Sequence, residues 1–406
     1  MPKTIMLLGG SRHQVPAIET AKRLGYRTVL CDYLPDNPGQ YVADVFYQKS
    51  TTDRDLMLKI AIKEHVDGVL SFGSDVAAPT ASYIGQKLGL PCNPLESVEI
   101  LSEKNLFRQY LSEHGFNCPK SVSFSADLDE QAVLARAEGM KFPVILKPTD
   151  SSGSRGVTVI NASDVSVVAK ALSYAREFSR NGILVLEEYI EYGFPHLIGG
   201  DIYVVDGKVS FWGLMSCLRD TGLAALVPVG KAYPCGLPDH QMALLKDEVQ
   251  RLVSCLGLQF GEMNLEVIIG KDGNPYIVEL GGRAGGNMIP LQLKDISGID
   301  LVEALVLHTM GDQAPDVSFD GNENVIATSV LHARETGSFI SVEYSDEVRK
   351  HIFREMIYVK PGDMVQKLNY GSKALGVIFL RFDSEREMWG VLKDITNCVK
   401  VNVDPC

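Results

Sequence analysis

Two glutamates on opposite arms of a hairpin hold the most chemistry in this chain. The stretch GEMNLEVIIGKDGNPYIVELGGRAGG, residues 261 to 286, has two alternating runs flanking Asp272-Gly273, a strong short-range hairpin signal. A two-residue turn there makes 271 face 274 and sets Glu266 opposite Glu279, with Cβ atoms roughly 5 Å apart. Like charges so placed destabilise a sheet unless a proton or a cation lies between them. Hard divalent cations favour clustered carboxylates, and Mg²⁺ characteristically uses one or two of them plus substrate phosphates. The pair therefore predicts an Mg²⁺ (or Mn²⁺) site completed by a nucleotide. The alternative is an edge hairpin whose outer face is simply wet.

A second stretch, KPTDSSGSRGV from 147 to 157, offers a place for the phosphates. The P-loop puts its lysine after the glycines, at a helix start. Here Lys147 precedes Ser152, Gly153, Ser154 and Gly156, and apolar runs flank the loop. A strand–lysine–loop–strand hairpin of this kind can cradle phosphate through backbone N–H groups, or can be an ordinary flexible turn. Lys147 shows no apolar partner pattern, so its removal is expected to leave the stability of the ligand-free protein unchanged.

These groups need a scaffold, and 406 residues at 45% hydrophobic content supply two or three domains with cores. A formal charge of −12 argues against nucleic acid or an anionic membrane as partner. The apolar run in MPKTIMLLGG is too short for a signal segment or a membrane span and reads as a buried first strand. Eight scattered cysteines without a CxxC pair argue against a disulfide framework or zinc, and fit a cytoplasmic protein.

Residues 1 to about 95 alternate short apolar runs with helical patterns, which predicts βαβ units and a parallel sheet. The turn Gly9-Gly10-Ser11 lacks the GxGxxG spacing, so Asp32 does not signal NAD. Either the glycines form a tight turn, or an anion rests on the following helix. Ser97 to Gly115 reads as one amphipathic helix closed by glycine. Residues 118 to 190 hold the lysine hairpin, a helix and the strand ILVLEEYI. Mostly antiparallel strands follow from 200 to 280, with one helix between His240 and Leu256. A small α+β unit occupies 321 to 406.

In this order, Lys104, PVILKP with its serine/glycine loop, LEEYI, NLE and VELGGR resemble the ATP-grasp superfamily of ligases. The resemblance implies three parts: an N-terminal α/β domain over 1–97, an ATP-grasp domain over 98–320, and a C-terminal α+β domain over 321–406. The ATP-grasp part would comprise two α+β subdomains clasping ATP, with the lid at about 118–187. Lys104 and Lys147 match the two lysines that neutralise ATP phosphates, and the loop from Ser151 to Gly156 matches the lid over them. Glu187, Glu188, Tyr189 and Ile190 match the hinge whose backbone reads adenine. Glu191, His196 or Asp201 would accept the ribose hydroxyls, without the spacing singling one out.

Arg283 matches the arginine that stabilises the transferring phosphoryl group. Family members commonly carry an asparagine metal ligand where this chain has Gly281. The two-residue-turn register puts Asn264 opposite Gly281, from where its amide would serve instead. What the resemblance implies is a carboxylate–amine ligase acting through an acylphosphate and releasing ADP and phosphate. RAGGNMIP and GIDLVEALV resemble the amino-acid-ligase and carbamoyl-phosphate-synthetase-like branch. A purine-pathway-like carboxylase or formate-dependent ligase, or a silent ATP-binding module, is the alternative. Small-molecule carboxylate and amine substrates and a homodimer are expected, with Arg219 and Lys231 as possible carboxylate-binding charges.

Overall fold

The computed structural model describes residues 2–405. Strands β1 (Thr4–Leu8), β2 (Arg27–Asp32), β3 (Val45–Gln48) and β4 (Gly68–Leu70) form a parallel sheet in the order β3-β2-β1-β4. All five residues of β1 are buried, as expected for a central parallel strand covered on both faces. The turn after β1 holds a carboxylate, and it is the chain's own: Gly10 N–H donates to Asp32 Oδ2 at 2.7 Å.

Strands β5 (Ser121–Ser125), β6 (Val144–Pro148), β7 (Thr158–Ile160) and β8 (Ile183–Glu188) make a separate antiparallel sheet, β5-β8-β6-β7. Helices Glu130–Arg136 and Val165–Arg176 pack on it through Val133, Val168, Ala171 and Leu172.

The remaining strands are β9 (Leu197–Val205), β10 (Lys208–Arg219), β11 (Pro228–Tyr233), β12 (Phe260–Ile269) and β13 (Pro275–Gly281), then β14 (Ile326–Leu331), β15 (Gly337–Tyr344), β16 (Ile352–Ile357), β17 (Met364–Val365), β18 (Gly376–Arg381) and β19 (Val399–Pro405). Eight of them form one sheet, β13-β12-β9-β10-β11-β14-β18-β16. The boundary expected at 320/321 therefore falls between two hydrogen-bonded strands, since β11 pairs with β14. Helix Asp239–Cys255 covers one face, burying Leu245, Val249, Leu252 and Val253 at helical spacing. Helices Ile289–Ser297 and Leu301–Thr309 cover the other.

Two local expectations are corrected. The single helix from Ser97 to Gly115 is two, Leu95–Ser102 and Lys104–Glu113. Glu103 between them is extended, at φ −122° and ψ 117°, and Lys104 N–H donates to Thr149 O at 2.9 Å. That bond to the lysine hairpin takes the first N–H of the second helix out of any continuous helical ladder.

The turn at Asp272-Gly273 is also not the two-residue kind. Gly270 N–H donates to Asn274 O at 2.9 Å, Gly273 N–H donates to Gly270 O at 2.9 Å, and Gly273 has φ +81°. Three residues thus lie in the loop, and 271 does not face 274. Ile269, Ile268 and Val267 pair with Pro275, Tyr276 and Ile277. A β-bulge then leaves Val278 unpaired, and Glu266 meets Glu279, Leu265 meets Leu280 and Asn264 meets Gly281. One extra residue in the loop and one in the bulge cancel at the carboxylates.

Candidate active site

The two sheets face each other across a cleft of about 130 Å³. Its walls include Lys104, Lys147, Ser152, Gly153, Ser154, Glu187 to Ile190, Glu266 and Glu279. Residues from five separate stretches of chain therefore share one cleft. Gly156, His196, Asn264 and Arg283 lie outside its lining. Gly156 shapes the loop from behind: it has φ +73°, and a Cβ there would sit 2.8 Å from Pro148 Cγ.

Lys104, at the helix start, donates from Nζ to Ser151 O at 2.6 Å and lies 3.9 Å from Glu279 Oε2. Lys147 is not a free charge. Its Nζ donates to Glu187 Oε2 at 2.7 Å, while Arg108 Nε stands 2.9 Å from Glu187 Oε1. Burial, then Arg108 and Lys104, lowers the Lys147 pKa to about 8 against the pull of Glu187. Burial pushes Glu187 the other way, but Arg108 and Lys147 outweigh it and hold the carboxyl at about 2. Arg108 Nη2 also donates to the carbonyl of the bulge residue Val278 at 2.9 Å. One buried guanidinium thus braces both the lysine and the bulge that aligns the glutamates.

Glu266 carries a raised pKa, from burial first and the Glu279 charge second, with Lys231, Arg219 and Arg283 opposing. Among the described residues no hydrogen bond reaches either carboxylate, and the nearest cation to Glu279 besides Lys104 is Arg283 Nη2 at 3.8 Å. Two half-buried carboxylates without donors fit a hard cation better than they fit each other. No cluster of three His, Cys, Asp or Glu side chains accompanies them among the described residues, so a cation here would take its other ligands from elsewhere.

Arg283 and Asp75 form a two-point pair, Nε to Oδ1 at 2.7 Å and Nη2 to Oδ2 at 2.8 Å. Burial opposes the charge of Arg283, but Asp75 outweighs it and raises the pKa. The pair explains Gly281: a Cβ there would lie 3.0 Å from Asp75 Oδ1 and 3.3 Å from Arg283 Cζ. Asn264 shares the sheet face of Glu266, and its amide nitrogen donates to Asp201 Oδ1 at 2.7 Å and Gly200 O at 3.1 Å; a hard cation would use its Oδ1 instead. Asp201 also accepts from Gly285 N–H at 2.8 Å, which fixes the loop beyond Arg283.

Along the hinge, Tyr189 N–H donates to Pro143 O and Glu188 Oε1 accepts from Lys141 N–H. His196 stacks on Trp389 at 4.9 Å in a neighbouring groove of about 1000 Å³ that shares Tyr189, Tyr192 and Arg219 with the cleft. Glu191 pairs with Lys271 and Lys141. Lys231 Nζ is buried against Cys217 Sγ at 3.0 Å, and Arg219 Nη1 donates to Ala225 O.

The glycine loop is held down at its tip. Gly371 N–H donates to Gly153 O at 3.0 Å, Ser154 Oγ donates to Leu226 O at 3.0 Å, and Phe178 meets Tyr370 edge-on at 5.7 Å.

Arg108, Asp75 and the 370–371 segment were not picked out from sequence. The signal for Arg108 was there: it falls between Phe107 and Leu111 on the buried face of its helix, where an unpaired charge is not tolerated. Asp75 sits just past the carboxyl end of β4, where parallel sheets collect ligands.

Residues 103–313 match the family model "Carbamoyl-phosphate synthase L chain, ATP binding domain". The chain is 24% identical over 316 residues to the carbamoyl phosphate synthase large chain of Clostridium beijerinckii, covering 75% of this chain and 28% of that one. It is 23% identical over 191 residues to a formate-dependent phosphoribosylglycinamide formyltransferase of Prochlorococcus marinus, 47% and 49% of the two chains. It spans about a quarter to a half of the length of these relatives.

Among solved structures, an L-amino acid ligase from Bacillus licheniformis superposes with a TM-score of 0.81 at 19% identity, covering 99% of both chains. A phosphoribosylglycinamide synthetase from Anaerococcus prevotii superposes with a TM-score of 0.75 at 19% identity, covering 100% of both. Among the described residues no helix is long and apolar enough to cross a membrane. With the family model matching more than half its length, the chain belongs to the carbamoyl-phosphate-synthase-like branch of the ATP-grasp ligases.

Proposed function

We propose that this protein joins a carboxylate to an amine at the expense of ATP, through an acylphosphate, releasing ADP and phosphate. The observation that carries the reading is the meeting of two lysines, a closable glycine loop and two unbonded glutamates in one cleft, with Arg283 at its edge. Adenine lies along the hinge, where Ile190 offers the N–H because that of Tyr189 is engaged. Lys104 and Lys147 draw in the phosphates as point charges, and the loop from Ser151 to Gly156 covers them. Lys147 then exchanges part of its bond to Glu187 for phosphate oxygens, while Arg108 keeps Glu187 neutralised.

Glu266 and Glu279 would hold Mg²⁺ or Mn²⁺, which when bound offsets the charge of the phosphates. Arg283, aimed by Asp75, lies where charge develops on the transferring phosphoryl group. The domain division at 1–97, 98–320 and 321–406 goes with this reading: the first and second parts meet at Asp75–Arg283, and the third meets the lid at Gly371. The test is a screen of amino acids and small acids with amines for ADP release, followed by oxygen-18 transfer from labelled carboxylate to phosphate. Label retained in the product alone, or AMP in place of ADP, would refute the acylphosphate route.

A further inference from the structure

Strand β9 runs alongside Glu266 with no side chain at Gly199, the residue paired directly with Glu266 on β12. Residues so paired in an antiparallel ladder point to one face, with Cβ positions roughly 5 Å apart. The space that a side chain at 199 would fill is taken by another residue: a Cβ there would sit 2.8 Å from Lys231 Nζ. Lys231 belongs to β11, two strands from β9 in the order β12-β9-β10-β11. It reaches back over β10, where its cross-strand partner is Cys217. An ammonium thus stands beside Glu266 at a position where the strand itself carries only glycine.

Lys231 is buried, with 7% of its surface exposed. Its Nζ donates to Cys217 Sγ at 3.0 Å and forms no ion pair among the described residues. Burial works against the charge, but Cys217 and then Glu266 outweigh it and raise the Lys231 pKa. The lysine is therefore a fixed positive charge at neutral pH. It is in the wall of neither the cleft nor the neighbouring groove, so it acts on a ligand there only through its field.

The charges around the glutamates lean positive. Lys104 and Arg219 line the cleft, and Arg219 and Lys231 both act on the Glu266 carboxyl. Arg283 is tied to Asp75 and adds little net charge. Three cations, Lys104, Arg219 and Lys231, therefore surround two carboxylates. Such a site attracts a polyanion and repels a bare divalent cation, and a bound triphosphate reverses that balance.

We propose that Lys231, acting through Glu266, bars free Mg²⁺ from the glutamate pair until a triphosphate is bound. The inference rests on the reading of Glu266 and Glu279 as the metal-holding pair. Lys231 touches neither metal nor nucleotide; it sets the charge of the site they share. Its removal should therefore move a cation and an anion in opposite directions, whereas a loss of structure would weaken both.

The test uses the full chain, Mn²⁺ as the metal probe and a non-hydrolysable ATP analogue. Electron paramagnetic resonance reads free Mn²⁺ during titration of the protein without nucleotide, and calorimetry reads binding of the metal-free analogue. Wild type without nucleotide should take up little Mn²⁺ below about 1 mM. Lys231→Met and Lys231→Gln should each bind Mn²⁺ about tenfold more tightly and the metal-free analogue about tenfold more weakly. Adding Glu279→Gln to Lys231→Met should remove the gain in Mn²⁺ binding.

Tight Mn²⁺ binding by nucleotide-free wild type would overturn the inference. So would Lys231 variants whose two affinities move the same way or stay put, or a gain in Mn²⁺ binding that survives Glu279→Gln. Protein that with the analogue holds no more Mn²⁺ than the analogue alone would instead overturn the reading of the glutamates as metal ligands, and this inference with it.

Discussion

Lys147 and Glu187 form a buried ion pair, Nζ to Oε2 at 2.7 Å, that Arg108 completes from the opposite carboxylate oxygen. This arrangement corrects the expectation that Lys147 matters only to ligand. Lys147→Ala should weaken ATP binding and also lower the stability of the ligand-free protein, by about 1–3 kcal/mol. Chemical denaturation of the apo variant checks it, and an unchanged midpoint would refute it. Glu187→Gln should be worse, about 3–5 kcal/mol, because two buried cations would then face no carboxylate.

The depressed Lys147 pKa makes a pH prediction with a definite sign. The lysine is charged below its value of about 8 and neutral above it, so phosphate affinity should be full at pH 7 and fall as pH rises through 8. Calorimetric titration of ATP from pH 6.5 to 9.5 tests this, and Lys147→Ala should flatten the profile. A wild-type affinity constant across that range would sink the assignment.

Repulsion between Glu266 and Glu279 gives the third expectation. Either Glu→Gln change should cut Mg²⁺-dependent turnover by about 10²-fold or more while leaving the apo protein as stable or about 0.5–1 kcal/mol more stable. A wet edge hairpin would predict normal turnover in both variants.

Restoring the asparagine that the family commonly carries at position 281 should not help this chain. A side chain there presses on Asp75 and Arg283, so Gly281→Asn should lower kcat through misplaced Arg283. Steady-state kinetics on that variant decide the point; a gain in kcat would mean that the Asp75–Arg283 pair is dispensable.

The loop contact at Gly371 is testable through its neighbour. Tyr370→Ala removes the aromatic contact to Phe178 and should speed nucleotide dissociation without altering the fold. Stopped-flow release of a fluorescent ATP analogue measures it, and an unchanged off-rate would show that the loop's closure does not depend on this segment.

Much of this architecture could be read from residue patterns. Alternating strands and helices announced the parallel sheet of residues 4–70, and the apolar periodicity of Asp239–Cys255 announced its helix. The facing of Glu266 and Glu279 was reached from a turn of the wrong length. A compensating bulge at Val278 is invisible in alternation, because it depends on how Arg108 captures a carbonyl from another segment. The break at Glu103 was missed for a similar reason, since a bond to Thr149 O overrides helix propensity. Buried ion partners such as Arg108 and Asp75 are long-range pairings, and local composition carries no record of who their partners are.

The Val278 bulge also bears on how chain length varies around these glutamates. If the ladder ran on regularly from Ile277, Val278 would face Glu266, Glu279 would turn to the apolar face opposite Leu265, and Leu280 would turn to the face of Glu266. Shedding one residue at 278 is therefore gentler on the pair than straightening the strand at full length. Chains that keep the three-residue loop but lack the bulge should have the two glutamates one residue closer in sequence, and an alignment with them should open its gap at 278 rather than in the loop.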